Sequence, residues 1–192
     1  MNTPTQVPRR HPELADLLRR SEGKFLSDEE LELLLRLYPD RQLEVDTARA
    51  VRSLATPLVK RVVAEIFSQY AYEQHHELAL AKCPRDVGYV LAYAVTAMLL
   101  RDPAWFDNKV LIWLKTILQA FEFPERQRSA GSALFVDEEL EQRLGQLPKK
   151  SRSIFHTYYR LKQEVERELA EDQAGCLAPY LQQTIDTLTE AY

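Results

Sequence analysis

The chain has 192 residues, enough for one sizeable hydrophobic core and too few for two full domains. Leu, Ala, Glu, Arg and Gln fill every long segment while Gly numbers only 5, which argues for an all-α architecture. The 25 basic and 29 acidic residues are interspersed and sum to a net charge of -4, so no basic stripe offers nucleic acid an electrostatic footprint.

Taken in chain order, residues 1–10 carry two Pro and no apolar run before Arg9-Arg10; they read as a disordered leader without the apolar region of a secretory signal. His11 to Ser21 sets Leu14, Leu17 and Leu18 at helical spacing, and Gly23 breaks that short helix. Ser27-Asp28-Glu29-Glu30 is a capping box that starts a second helix, which ends before Pro39. From about Leu43 to Tyr72, apolar residues recur every three or four positions, predicting a long amphipathic helix or a pair bent at Pro57.

Pro84 suits the first position of the next helix, where its missing amide hydrogen is no loss, and that makes Cys83 the expected N-cap. The apolar run Val87 to Leu100 is closed by Arg101-Asp102 well short of a bilayer span. Asp102-Pro103 opens a further helix with Val110, Leu111, Leu114, Ile117, Leu118 and Phe121 on a broad apolar face, up to Pro124. Residues 125–148 are polar, hold Gly131 and Gly145, include a short helix near Asp137 to Leu144, and read as an insertion. Ser151 to Glu171 is helical again, and Leu181, Ile185 and Leu188 form a closing stripe that needs a partner surface.

The chemistry-bearing cluster lies at the start of the helix after Cys83. Residues three and four apart are stacked on a helix, so Cys83, Asp86, Val87 and Val90 share a face with Arg85 on the flank. A helix N-terminus favours the thiolate, which would make an exposed Cys83 reactive enough to hold a ligand covalently. The competing reading is an inert buried Cys beside a solvated Arg-Asp pair. Cys83 and Cys176 are too far apart in sequence to suggest a disulfide framework. The adjacent His75-His76 point about a quarter turn apart and do not clasp one metal, and His156 beside Tyr158 and Tyr159 reads as packing. Neither a Ser-His-Asp order nor paired inward carboxylates emerge, so the expectation is no enzyme, no metal and no nucleic-acid partner.

The run Lys82-Cys83-Pro84-Arg85-Asp86-Val87-Gly88-Tyr89-Val90-Leu91 resembles the bilin-attachment segment of the phycobiliproteins, in which Cys-x-Arg-Asp followed by an aromatic opens the equivalent helix. Ala97-Met98-Leu99-Leu100-Arg101-Asp102-Pro103, with Asp107, Val110-Leu111 and Leu114-Lys115, is similar to the allophycocyanin β-type subunits of that family. Glu22-Gly23-Lys24-Phe25-Leu26-Ser27-Asp28 resembles the turn between the family's two extra N-terminal helices. The matches run in order across most of residues 12–124.

The resemblance implies a single globin-like helical domain over residues 11–192, with an N-terminal helical extension at 11–38 and the insertion at 125–148. It implies a phycocyanobilin-like linear tetrapyrrole with Cys83 as its thioether ligand, Asp86 accepting from the inner pyrrole nitrogens and Arg85 pairing with a propionate. Tyr89 either lines the ring pocket or packs in the core. Expected partners are phycobiliprotein-like subunits or photosystem components, at the cytoplasmic face of the thylakoid membrane and not inserted in it. The chain departs from the family at its subunit-pairing salt bridge, where it has Arg20 and Ala92, and in replacing the Gly- and Asn-rich loop before the Cys with Tyr70 to Glu77. Those departures imply a paralogue outside the regular antenna lattice. It would either carry pigment or act as a pigment-free adaptor or assembly factor. Self-association through Trp105, Phe106, Trp113 and the terminal stripe is a further expectation.

Overall fold

The computed structural model describes residues 17, 21–71, 78–118, 120–126 and 137–190. The expected leader, most of the first helix and the His75-His76 pair lie outside the described residues. Leu17 is helical and buried, and Gly23 turns the chain in the left-handed region at φ 70.

Helix α1 spans Asp28–Leu37. Its capping box is complete: Glu30 N donates to Ser27 Oγ at 3.3 Å, and Ser27 N donates to Glu30 Oε2 at 2.8 Å. Both orphan amides are satisfied, so Ser27→Ala is expected to cost about 1 kcal/mol, measurable by urea titration with an unchanged slope. Leu31 and Leu34 are buried in the common core, and Arg52 ties the start of the helix to its neighbour by donating to Leu26 O and Asp28.

After a 3-10 turn at Pro39–Arg41, helix α2 runs over Gln42–Gln69 as one element of 28 residues. Pro57 lies inside it rather than dividing it. Its missing N–H leaves Ser53 O without an intrahelical donor, which is tolerated because both Ser53 and Pro57 face solvent.

Helix α3 spans Ala79–Leu100, and here the sequence expectation is corrected. Leu78 is its N-cap, Cys83 is the fifth residue and Pro84 lies within the helix. The residues 79–82, Ala-Leu-Ala-Lys, are strong helix formers and carry the helix a turn upstream. Pro84 then removes a single bond, to the carbonyl of Leu80, itself largely exposed. Arg101 closes the helix in the left-handed conformation at φ 52, which costs a side-chain-bearing residue about 1–2 kcal/mol. Its guanidinium donates to Glu44 at 2.6 Å and to Asp40 at 3.3 Å, and these contacts offset the strain.

Asp102 caps helix α4, Pro103–Phe106, by accepting from Trp105 N at 2.9 Å. A π-helical turn at Asp107–Leu111 leads into helix α5, Ile112–Leu118. The expected uninterrupted helix is therefore divided, and the wider turn changes which side chains face inward. Val110, Leu111 and Leu114 are buried, whereas Ile117 and Phe121 are exposed, a correction to the single broad apolar face. Helix α6, Glu138–Gln146, starts at Asp137, which accepts from Leu140 N. Helices α7, Lys149–Glu168, and α8, Glu171–Thr189, complete the fold.

The core lies among α2, α3, α7 and α8, each packed against the others or bridged through α8, and it includes Leu58, Ile66, Leu91, Met98, Phe106, Leu161 and Leu177. Leu181, Ile185 and Leu188 are buried, so the closing stripe finds its partner surface within the chain. Phe106 is fully buried and Trp105 packs at 5.8 Å on Tyr93; of the aromatics expected to mediate association, Trp113 alone is exposed. The architecture is all-α and globin-like, with one isolated bridge, Tyr70 to Glu125, among the described residues. Beside that bridge, Arg126 N donates to Gln69 O at 2.7 Å. Across the 125–148 segment, Asp137 also accepts from Gln163 of α7 at 3.1 Å. No helix among the described residues is long and apolar enough to cross a membrane.

Candidate bilin-type site on helix α3

The four candidate residues, Cys83, Arg85, Asp86 and Tyr89, occupy two turns of α3 where it leaves the core for the surface. Val87 and Val90 are buried and anchor this stretch. Cys83 is half-buried and packs against the core cluster; Arg85 and Asp86 are partly exposed.

Burial pushes the Cys83 thiol up to about 12, and the negative charge of Asp86, one turn away, adds to the effect. This reverses the sequence expectation of a thiolate favoured by a helix terminus. Cys83 lies a turn inside the helix, where the field of the terminal amides has faded, while desolvation and a like charge both favour the neutral thiol. Sulfur and carboxylate are nonetheless brought together, as the i and i+3 spacing requires.

Asp86 is held by its neighbour. Arg85 Nη2 lies 2.7 Å from Asp86 Oδ1, and Arg85 Nε donates to the same oxygen at 2.9 Å. The guanidinium carbon also sits 5.7 Å from the centre of the Tyr89 ring, a cation–π contact. Tyr89 is 46 % exposed, so it is not a core tyrosine. The ring also lies near Gly23: a Cβ there would come within 3.4 Å of Tyr89 Cδ1. Glycine is needed there for its positive φ; a Cβ would only make ordinary contact with the ring. Tyr89 thus has both the Arg85 guanidinium and the Gly23 turn as neighbours.

Two further contacts complete the surroundings. Glu22 accepts from Lys109 at 2.8 Å, which fastens the N-terminal turn to the π-helical segment. Tyr93, next to Trp105, has its phenol pushed up by burial and by the charge of Glu22. The spacing argument, confined to one helix, missed Gly23, Glu22 and Lys109 as neighbours of the cluster. For Glu22 and Gly23 the sequence signal was the Glu-Gly-x-Phe-Leu-Ser turn.

Other chemistry is grouped elsewhere. A cleft of about 350 Å³ is lined by Glu44, Met98, Arg101, Cys176 and Tyr180 among others. A more polar one of about 380 Å³ includes Tyr70, Arg126, Arg152 and His156. Neither is lined by the Cys83 cluster. His156 is buried, with Nδ1 3.4 Å from Tyr70 Oη and Nε2 3.3 Å from Glu65 Oε1, so its ring nitrogens are engaged within the protein. Among the described residues no three His, Cys, Asp or Glu side chains gather as metal ligands would.

The comparisons follow the same elements. A family model described as phycobilisome protein matches residues 20–188, from the N-terminal turn to the end of α8. The allophycocyanin beta chain of Anabaena variabilis is 32% identical over 108 residues, covering 54% of this chain and 67% of that one. The allophycocyanin subunit beta of Nostoc sp. is similar to the same extent, and the allophycocyanin beta chain of Cyanidium caldarium is 29% identical over a stretch of the same length.

Proposed function

Because the chain belongs to the phycobilisome protein family, we propose that it is a phycobiliprotein-like protein that takes a linear tetrapyrrole, a phycocyanobilin-like bilin, at Cys83 and serves phycobilisome light harvesting or its regulation. The observation that carries this reading is the juxtaposition of a thiol and a carboxylate close enough for one to shift the titration of the other, with a guanidinium and an exposed ring beside them. The donor set suits the ligand: a thiol for a thioether, an anion for pyrrole N–H groups, and a planar cation for a propionate.

A bound bilin would supply absorption of visible light. Cys83 would hold it by its sulfur. Asp86 would accept from the inner pyrrole nitrogens, through charge-assisted hydrogen bonds worth about 1.5–3 kcal/mol each. Arg85 would exchange Asp86 for a propionate, at little cost because the pair is half in water. Tyr89 would lie against a ring of the pigment. The role is that of a pigment carrier and not of an enzyme. Its partners would be other phycobiliprotein subunits or photosystem components, met at the cytoplasmic face of the thylakoid membrane.

Coexpression of the chain with enzymes that make phycocyanobilin tests this. The expected product is coloured and stays zinc-fluorescent on a denaturing gel, and Cys83→Ala yields colourless protein. A specific observation favours a second reading, a pigment-free adaptor or assembly factor: the thiol is neutral and Arg85 and Asp86 satisfy one another. A wild-type chain that folds but stays colourless in that experiment would sink the pigment reading in favour of the adaptor.

A further inference from the structure

A linear tetrapyrrole carries two propionates, and Arg85 accounts for one of them. A second cation stands near the same rings. Arg85, Tyr89 and Tyr93 follow one another at intervals of four and so share one stripe of α3. The Arg85 guanidinium lies 5.7 Å from the centre of the Tyr89 ring, at the start of the stripe. Farther along, Tyr93 is near enough to Glu22, to Lys109 and to Tyr89 for each to act on the proton of its phenol. Lys109 reaches this place from outside α3, on the π-helical turn at Asp107–Leu111. Glu22 reaches it on the N-terminal turn, next to Gly23, which itself lies near the Tyr89 ring.

Lys109 Nζ lies 2.8 Å from Glu22 Oε1, and the two side chains are 45% and 43% exposed. An ion pair so open to water contributes about 1 kcal/mol or less, so either member changes partner at small cost. The Arg85–Asp86 pair has the same character. Each cation is therefore held by a carboxylate that it can leave. We propose that Lys109 is the partner of the second propionate and that Glu22 yields the lysine when the pigment enters. The inference rests on the pigment reading and adds a specificity to it: the site takes a tetrapyrrole with free carboxylates in preference to one whose carboxylates are masked. Lys109 suits this role, because its stem is flexible and its ammonium is a compact charge with three donors. Glu22 acts as a competitor for the lysine and so lowers the affinity of the site.

The test is binding of phycocyanobilin and of its dimethyl ester to the full wild-type chain, read within minutes of mixing by quenching of tryptophan emission. Trp105, 5.8 Å from Tyr93, reports on the stripe. The free acid is expected to bind more tightly than the ester. Lys109→Met should weaken the acid about fivefold and leave the ester unchanged, while Lys109→Arg keeps the preference. Glu22→Gln should tighten the acid about threefold, again without effect on the ester, because the competitor is gone. If the ion pair serves only to fasten the turn, Glu22→Gln weakens acid and ester alike. That result, equal binding of acid and ester by the wild-type chain, or a preference that survives Lys109→Met would overturn the proposal and leave the pigment reading standing. So would a preference abolished instead by Lys82→Met, at the exposed lysine beside Cys83. If neither compound binds the wild-type chain, the pigment reading itself fails and the inference with it.

Discussion

In the pigment-free protein, Cys83 is expected to react with iodoacetamide at pH 8 at least about thirty times more slowly than an unperturbed thiol, the higher intrinsic nucleophilicity of a less acidic thiol offsetting part of the loss of thiolate. The thiolate is the nucleophile, and raising the thiol from 9.0 to about 12 cuts the thiolate fraction by three powers of ten. The rate should rise close to tenfold per pH unit up to the limit of folding, and Asp86→Asn should speed it by removing the like charge. Because Cys176 also has its thiol raised by burial, the modified site is identified by peptide mass spectrometry or the measurement is made on Cys176→Ser. The same shift bears on stability. The folded state holds the proton more tightly than the unfolded one, so there is no effect below about pH 9, and stability is lost as pH climbs from there towards 12. A Cys83 modified as fast as a free thiol at pH 8 would show that the site is open and that burial does not govern it. For the pigment reading the consequence is direct: attachment should be slow when bilin is simply mixed with the protein, and should need either a partner that opens the site or coexpression.

Phe106→Ala is expected to be the most damaging single truncation, costing about 3–5 kcal/mol. The ring is fully buried where the four-residue helix α4 meets the π-helical turn, and α4 makes few other deep contacts to hold it. For a chain of this size that loss should lower the melting temperature by about 10–15 °C, a large share of the 5–15 kcal/mol that separates typical native and unfolded states. Differential scanning calorimetry checks it. A fall of only a few degrees would mean that the cavity collapses and that α4 is not a fixed point of the core.

Much of the architecture could be read from residue order. Ser27 with Glu30, Asp102 before Pro103, and Asp137 before a Glu-rich turn all cap helices, because capping depends on side chains within three residues. The cysteine cluster was legible for the same reason: Cys83 and Asp86 lie on one helix and local geometry brings them together. Three other features were not legible. Where α3 begins was settled by helix-forming residues before Cys83, and a single Pro84 within the helix was too weak a signal against them. The inward or outward direction of Ile117 and Phe121 follows a π-helical turn, and the apolar residues after that turn, Ile112, Trp113, Leu114, Ile117 and Leu118, are too many for spacing alone to say which face inward. The contact between Tyr89 and Gly23 joins residues more than sixty positions apart, and such a contact becomes visible only once the helices are packed.

The segment between α5 and α6 is moored at each end. Upstream, Glu125 bridges to Tyr70 and Arg126 donates to Gln69 O; downstream, Asp137 is clasped by Gln163 and by the first amides of its own helix. With both moorings made to the framework, the stretch between them can be lengthened or trimmed at a free-energy cost that grows only with the logarithm of its length, about 0.6 kcal/mol for each doubling. A change of length between the moorings is therefore expected to leave the packing of α2, α3, α7 and α8 unaltered.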